Sequence, residues 1–252
     1  MESALVSVVV IVMTLLVAGI QRIVGFGFGM VMAPFMVLIL SPHEGVMLVN
    51  FLSMIAPLLI MWQLRSHIEW VKFLWLAVPA LIIMPAAAWL AVQTPAGPLY
   101  IVVAAVVLSG LVISAVISRV SSKVDGRGVQ ALTGIASGAG TVLAGVGAPA
   151  TTVYTVLSRW PLLKMIATLQ PLWLIMSAAA FGMKWALDQG QLPGLPWWGW
   201  AGSTVAIFIG IYIGQWVQRR VSERAAGRGV VVMAFIGALA ALFTGVRMTF
   251  FG

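Results

Sequence analysis

Cysteine is absent from this chain, which excludes disulfides and thiolate chemistry. Charge is almost as scarce. Only 8% of the 252 residues are charged, with six acidic side chains and two histidines, too few to build a water-exposed surface. The histidines, His43 and His67, both lie near the ends of apolar runs, which argues against bis-histidine haem ligation within them. Histidine–carboxylate metal sites and the HExxH pattern are missing. GIASGAG at 134–140 has the outline of a serine-nucleophile turn, but no histidine sits at comparable depth to act as base. GFGFG at 25–29 lacks the strand–turn–helix setting of a dinucleotide fingerprint. No Asp or Glu falls securely within an apolar run, so no carboxylate proton relay is visible. We therefore expect neither an enzyme nor a cofactor.

Apolar residues make up 62% of the chain, and several runs of 18 or more are nearly uncharged. That composition specifies an all-α, polytopic transmembrane helical bundle in a lipid bilayer. Clear spans are expected at 45–63, 73–92, 98–118, 163–185, 197–217 and 229–246. Two longer stretches, 3–40 and 128–158, each read as a hairpin or a pair of short helices, giving 8–10 membrane segments. The N-terminus, with Glu2, no basic flank and no small-residue cleavage site, reads as a retained span rather than a signal peptide.

The net charge of +8 does not indicate nucleic acid. Eleven of the fourteen basic residues crowd four short loops: Arg65 and Lys72; Arg119, Lys123 and Arg127; Arg159 and Lys164; Arg219, Arg220, Arg224 and Arg228. An excess of arginine and lysine in short loops marks the cytoplasmic side. The loops QTPAGP (93–98) and 188–196 are nearly free of positive charge and fall outside. Trp62, Trp70, Trp160, Trp185, Trp197, Trp198 and Trp216 lie near the expected span ends, as interfacial tryptophans do. Both termini are then periplasmic or extracellular. Each half, 1–120 and 127–252, becomes a hairpin followed by three spans, the two halves being inverted-topology repeats.

Each hairpin contains a Gly-rich stretch ending in proline: GFGFGMVMAP, Gly25 to Pro34, and GTVLAGVGAP, Gly140 to Pro149. Matched interruptions in two halves point to a binding site near the bilayer midplane. Gly25, Gly27, Gly29, Gly145 and Gly147 permit helix ends and close approach, and Pro34 and Pro149 each remove an amide donor. Opposed half-helices would aim free N–H groups and positive dipole ends at a small anion. The plainer reading is that these glycines only pack helices closely. Arg22, the one basic residue deep in an apolar stretch, is either an anion partner or a cytoplasmic turn residue. Asn50, Thr151, Thr152, Tyr154, Thr168 and Gln170 are the polar candidates beyond the breaks, and each could instead join helices. His43 and Glu44 belong to Ser41-Pro42-His43-Glu44, a capping box that opens the next helix. Ile23-Val24-Gly25-Phe26-Gly27 has the look of a potassium-channel filter, but the second half does not repeat it and Arg22 would oppose a cation.

QRIVGFGFGMVMAPFMVLILSP with GVMLVNFLSM, and SGAGTVLAGVGAPATTVY with LKMIATLQPLW, resemble the TauE/SafE family, sulfite-exporter-like permeases also called TSUP. The resemblance covers nearly the whole chain, with its two signature hairpins in order. It implies a bacterial inner-membrane permease for small anions such as sulfite, organosulfonates or carboxylates. It also implies a site at Gly25, Gly27, Gly29, Pro34, Asn50, Gly145, Gly147, Pro149, Thr168 and Gln170. Ala148 departs from the family, which often has another glycine there. The expectation is a secondary transporter working by alternating access, with a homodimer as the candidate assembly. An anion-conducting channel and a non-transporting membrane anchor subunit are the alternatives.

Overall fold

The computed structural model describes residues 2–24, 28–117, 123–218, 220 and 223–251. All regular structure among them is helical. The first half comprises α1 (Glu2–Val24), α2 (Phe28–Ile39), α3 (Pro42–Leu52), α4 (Ile55–Leu64), α5 (Trp70–Gln93) and α6 (Ala96–Ile117). The second comprises α7 (Arg127–Ala144), α8 (Ala148–Ser158), α9 (Leu162–Leu187), α10 (Trp197–Val217) and α11 (Glu223–Phe250). Seven segments are long and apolar enough to cross a membrane, α3 and α4 counting together as one. The fold is the expected polytopic bundle.

Five of the six expected spans match α5, α6, α9, α10 and α11, and α10 begins and ends where hydropathy placed it. The sixth, 45–63, is broken. α3 ends at Leu52 and α4 starts at Ile55, with Pro57 three residues into α4. A proline ring clashes with the carbonyl four residues earlier, here that of Ser53, which favours a kink or break in the turn ahead of Pro57. Upstream, the capping box forms as read. Ser41 is the N-cap of α3, its hydroxyl accepts from the Glu44 amide at 3.1 Å, and Pro42 takes the first helical position.

Each long stretch is a pair of helices of unequal length. In the first stretch α1 has 23 residues and α2 has 12, and in the second α7 has 18 and α8 has 11. At about 1.5 Å per residue the shorter members cover less than 20 Å, which is too little to cross a core about 30 Å thick. Each stretch therefore enters and leaves at one end of the bundle. Ser7 of α1 lies against Gly199, and Glu44, just after α2, lies near Gly194, which places both ends of the first stretch beside the start of α10. At the opposite end, the Val124 amide donates to the Leu157 carbonyl at 3.0 Å, closing the second stretch.

Packing crosses between the halves. α1 runs parallel to α10, with Ile11 opposite Gly202, Ala18 opposite Gly210 and Arg22 opposite Gly214. α7 runs parallel to α5, with Leu76 opposite Gly134 and Ala80 opposite Gly138. α6 and α11 meet antiparallel, with Gly97 against Thr249 and Tyr100 against Gly245. Small residues let helix backbones approach closely in lipid, where apolar burial gives no advantage over contact with acyl chains. Two buried clusters follow from this arrangement. One surrounds Met32, Ala33 and Met36 of α2, and the other joins Leu76 and Met84 of α5 to Val142, Leu172 and Met176.

Candidate functional site

α7 ends at Gly145, whose φ of +68° is a left-handed conformation that glycine adopts without steric cost. The Gly145 and Val146 amides turn back to the Thr141 and Gly140 carbonyls, at 3.0 and 3.1 Å. α8 then starts with Gly147 as N-cap, no capping side chain and Pro149 in its first turn. The amides of a helix's first turn have no intrahelical acceptor, so this end carries unclaimed donors and partial positive charge. Ser137 Oγ donates to the Gly147 carbonyl at 2.7 Å and fixes the linker.

The start of α2 meets this linker directly. A Cβ placed on Gly29 would lie 2.5 Å from the Gly145 carbonyl oxygen. The two interruptions, 116 positions apart in sequence, touch in space. Between them is a cavity of about 80 Å³. About 10–15 Å³ of such space admits one water, so a ligand of several heavy atoms fits. Its walls come from every broken element: Phe28, Gly29 and Met30 of α2; Leu52, Ser53, Ala56 and Pro57 around the α3–α4 break; and Gly145 to Ala148 of the second linker. Gln21, Thr141, Trp173, Met176, Ser177 and Ile207 complete the lining.

The expected site residues divide. Gly29, Gly145 and Gly147 line the cavity. Gly25 and Gly27 lie outside the described residues. Asn50 is 1% exposed and lies outside the cavity wall; its Nδ2 donates to the carbonyl of Thr141, a lining residue, at 3.1 Å, while Oδ1 is buried without a partner among the described residues. Pro34 sits inside α2 against Gly237 of α11, and Pro149 packs on Gly110 of α6, so both prolines seat helices on the opposite half. Thr151 is buried and donates to the Ala148 carbonyl at 2.9 Å. Thr168 accepts from the Glu69 amide at 2.9 Å, at the far end of α9 from Lys184, and Gln170 is buried outside the cavity wall. Arg22 is exposed on the last turn of α1 and does not line the cavity.

The buried cation is instead Lys184, at 3% exposure. It falls at the very end of the expected span 163–185, whereas α9 runs on to Leu187 and carries it inside. Sequence reasoning also missed Gln21, Ser53, Thr141, Trp173 and Ser177. The signal for Ser53 was Pro57 four residues on. Trp173 and Ser177 sit one and two turns along the α9 face from Leu169, a face that hydropathy does not distinguish from lipid-facing positions.

A second polar constellation closes the bundle at the end holding the α8–α9 turn. Tyr154 donates to Asp125 Oδ1 at 2.7 Å, and Gln130 bridges both, at 3.0 Å to Tyr154 and 3.3 Å to Asp125. Lys72 lies 3.9 Å from both Asp125 and Glu69 and sits over the Trp160 ring at 4.6 Å. Glu69 also takes the Trp160 indole N–H and pairs with Lys164 at 3.6 Å. Burial alone would raise the Asp125 carboxyl. Hydrogen bonds from Tyr154, the Gly126 amide and Gln130, with the Lys72 charge, outweigh it and hold the group below its ordinary 3.8. This network ties α8, one end of which forms the cavity wall, to α5, α7 and α9.

The family model described as sulfite exporter TauE/SafE matches residues 10–241, a range that contains both interruptions and every cavity residue. Neither a curated protein nor a solved structure matches the chain. With seven apolar helices of spanning length and a family match over nearly its full length, this is a multi-pass membrane protein of the sulfite-exporter permease type, and the chain belongs to the TauE/SafE family.

Proposed function

We propose that the protein is a secondary permease carrying a small anion, such as sulfite, an organosulfonate or a small carboxylate, through the cavity between its two helix interruptions. The observation that carries this reading is the direct meeting of Gly29 with Gly145 beside a cavity lined by both interruptions, in a chain of a permease family. Unclaimed amides at the start of α8, and the start of α2 beside them, replace part of the anion's hydration shell. Residues 1–120 and 127–252 are two inverted repeats, supported by the exchange of α1 onto α10 and of α7 onto α5. Rocking of one repeat against the other alternates access to the cavity. The membrane is the bacterial inner membrane, with both termini on the periplasmic side. Arg22 acts near the cytoplasmic mouth rather than within the cavity. Export of an anion follows the membrane potential, by about 2.3 kcal/mol per charge per 100 mV, and needs no coupling ion.

The test is uptake of labelled sulfite, sulfonates and carboxylates by proteoliposomes. Saturable, competable flux of one anion, abolished by Gly29→Val and retained by Arg22→Gln, is the expected result. Macroscopic, non-saturating current would make the protein a channel. Absence of flux with folded protein would overturn the reading.

A further inference from the structure

The cavity holds polar groups but no charge. Among the described residues, none that lines it is acidic, basic or histidine. Arg22 is exposed beside Gly214, and Lys184 is held near Asp188 and His43 at the end of α9 remote from Thr168. What the wall offers an anion is partial charge. The start of α2 and the start of α8 both reach it, and each helix N-terminus is equivalent to roughly half an elementary charge, about one charge together.

An unmet hydrogen-bonding group adds to this. Trp173 lines the cavity, and its indole N–H is buried with no acceptor among the described residues. Buried polar groups are normally paired, so each such exception calls for an explanation. Trp173 asks for a ligand oxygen.

We infer that the site selects monoanions and takes a polyprotic oxyanion in its singly protonated form, so that the exchangeable proton travels on the ligand. The inference rests on the permease reading above and narrows its substrate class. The cost of moving an ion out of water rises with the square of its charge, so a dianion is penalised about four times as heavily as a monoanion. A wall with one unit of partial charge offsets the smaller penalty and not the larger. Carrying the proton on the ligand also removes the need for a titrating side chain at mid-membrane, where this chain has no carboxylate.

The experiment uses wild-type protein in proteoliposomes and three probes: labelled sulfite, methanesulfonate, which stays a monoanion, and sulfate, which stays a dianion. Initial rates are taken at a series of pH values on both sides of sulfite's second dissociation, with total sulfite held below saturation. The expected sulfite rate is level below that dissociation and falls about tenfold per pH unit above it. Methanesulfonate flux stays level throughout and sulfate flux stays at background. Sulfite flux that is level or rising above its second dissociation, or saturable sulfate flux, overturns the inference and leaves the permease standing. No flux of any of the three, nor of the carboxylates tested above, overturns both. Trp173→Phe, which keeps the ring and removes the N–H, is expected to raise KM for sulfite and methanesulfonate alike by about tenfold with Vmax held. An unchanged KM would remove Trp173 from the site.

Discussion

A single Cβ decides whether the two interruptions can meet. On Gly29 it would stand 2.5 Å from the Gly145 carbonyl, a backbone atom that cannot swing aside as a side-chain tip could. Overpacking of this kind costs about 1–3 kcal/mol. Gly29→Ala is expected to lower the melting temperature in detergent and to reduce flux. Gly182→Ala, on α9 with open space around it, should instead be neutral or raise stability by about 0.5–1 kcal/mol. A Gly29→Ala protein as stable and active as the parent would show that the interruptions do not need this contact. At the other end of α8, Asp125 is a carboxylate held below its ordinary value by Tyr154, Gly126, Gln130 and Lys72. A group whose value is depressed on folding stabilises the protein above its unfolded value of 3.8, and that stability is lost as pH falls through the folded value. Asp125→Asn is therefore expected to melt below wild type at pH 7, with the difference closing as pH drops from about 4 downward. A difference that persists unchanged into acid would show that packing, not charge, holds this corner.

Proline is a poor guide to where these helices stop, and the reason is visible element by element. Pro34, Pro79, Pro85 and Pro171 all lie inside helices that continue past them. Neighbouring helices and local adjustments re-satisfy the carbonyls that such prolines leave free. Pro57 differs because α4 begins just ahead of it, and its break contributes Ser53 and Ala56 to the cavity. Pro57→Ala should join α3 and α4 into one helix and withdraw those residues from the wall. The expected signature is flux reduced by an order of magnitude with a melting temperature equal to or above wild type; loss of both together would mean that the break is structural only. The same contrast explains what sequence could and could not reveal. Hydropathy located α10 to the residue, because lipid-facing helices carry their signal in composition. The cap at Ser41 and the end of α7 at Gly145 were readable from local chemistry. α7 was different. Its face of Gln130, Thr133, Ser137 and Thr141 is buried against neighbours rather than lipid, and its hydropathy falls short of a span. Tertiary contact, which the local pattern does not encode, decides which polar groups reach the cavity. That is why Trp173 and Ser177 were missed while Thr168 and Gln170 were chosen.

For the whole molecule, the exchange of α1 onto α10 and of α7 onto α5 makes each half depend on the other for its core. Such an arrangement constrains sidedness strongly. Ser41, Thr94 and Gln191 belong to connections at one end of the bundle, with Glu44 against Gly194 and the His43 group near Thr94 and Asp188. Ser66 and Val124 belong to connections at the other end, joined through Glu69, Asp125 and the α8–α9 turn. Arg65, Lys72, Lys123, Arg127, Arg159, Lys164 and Arg220 crowd that second end, which the positive-inside tendency assigns to the cytoplasm. Because the natural chain has no cysteine, single-cysteine variants report position without background. Gln191→Cys and Gln93→Cys, both at exposed positions, should react with a membrane-impermeant maleimide on intact cells. Ser66→Cys and Val124→Cys, equally exposed, should react only after the membrane is opened. Labelling of all four from one side would contradict the fold itself, since the connections would share an end of the bundle. Reversal of the two pairs would keep the fold, turn the molecule over in the membrane and put the Glu69–Lys72–Asp125 network at the outer mouth.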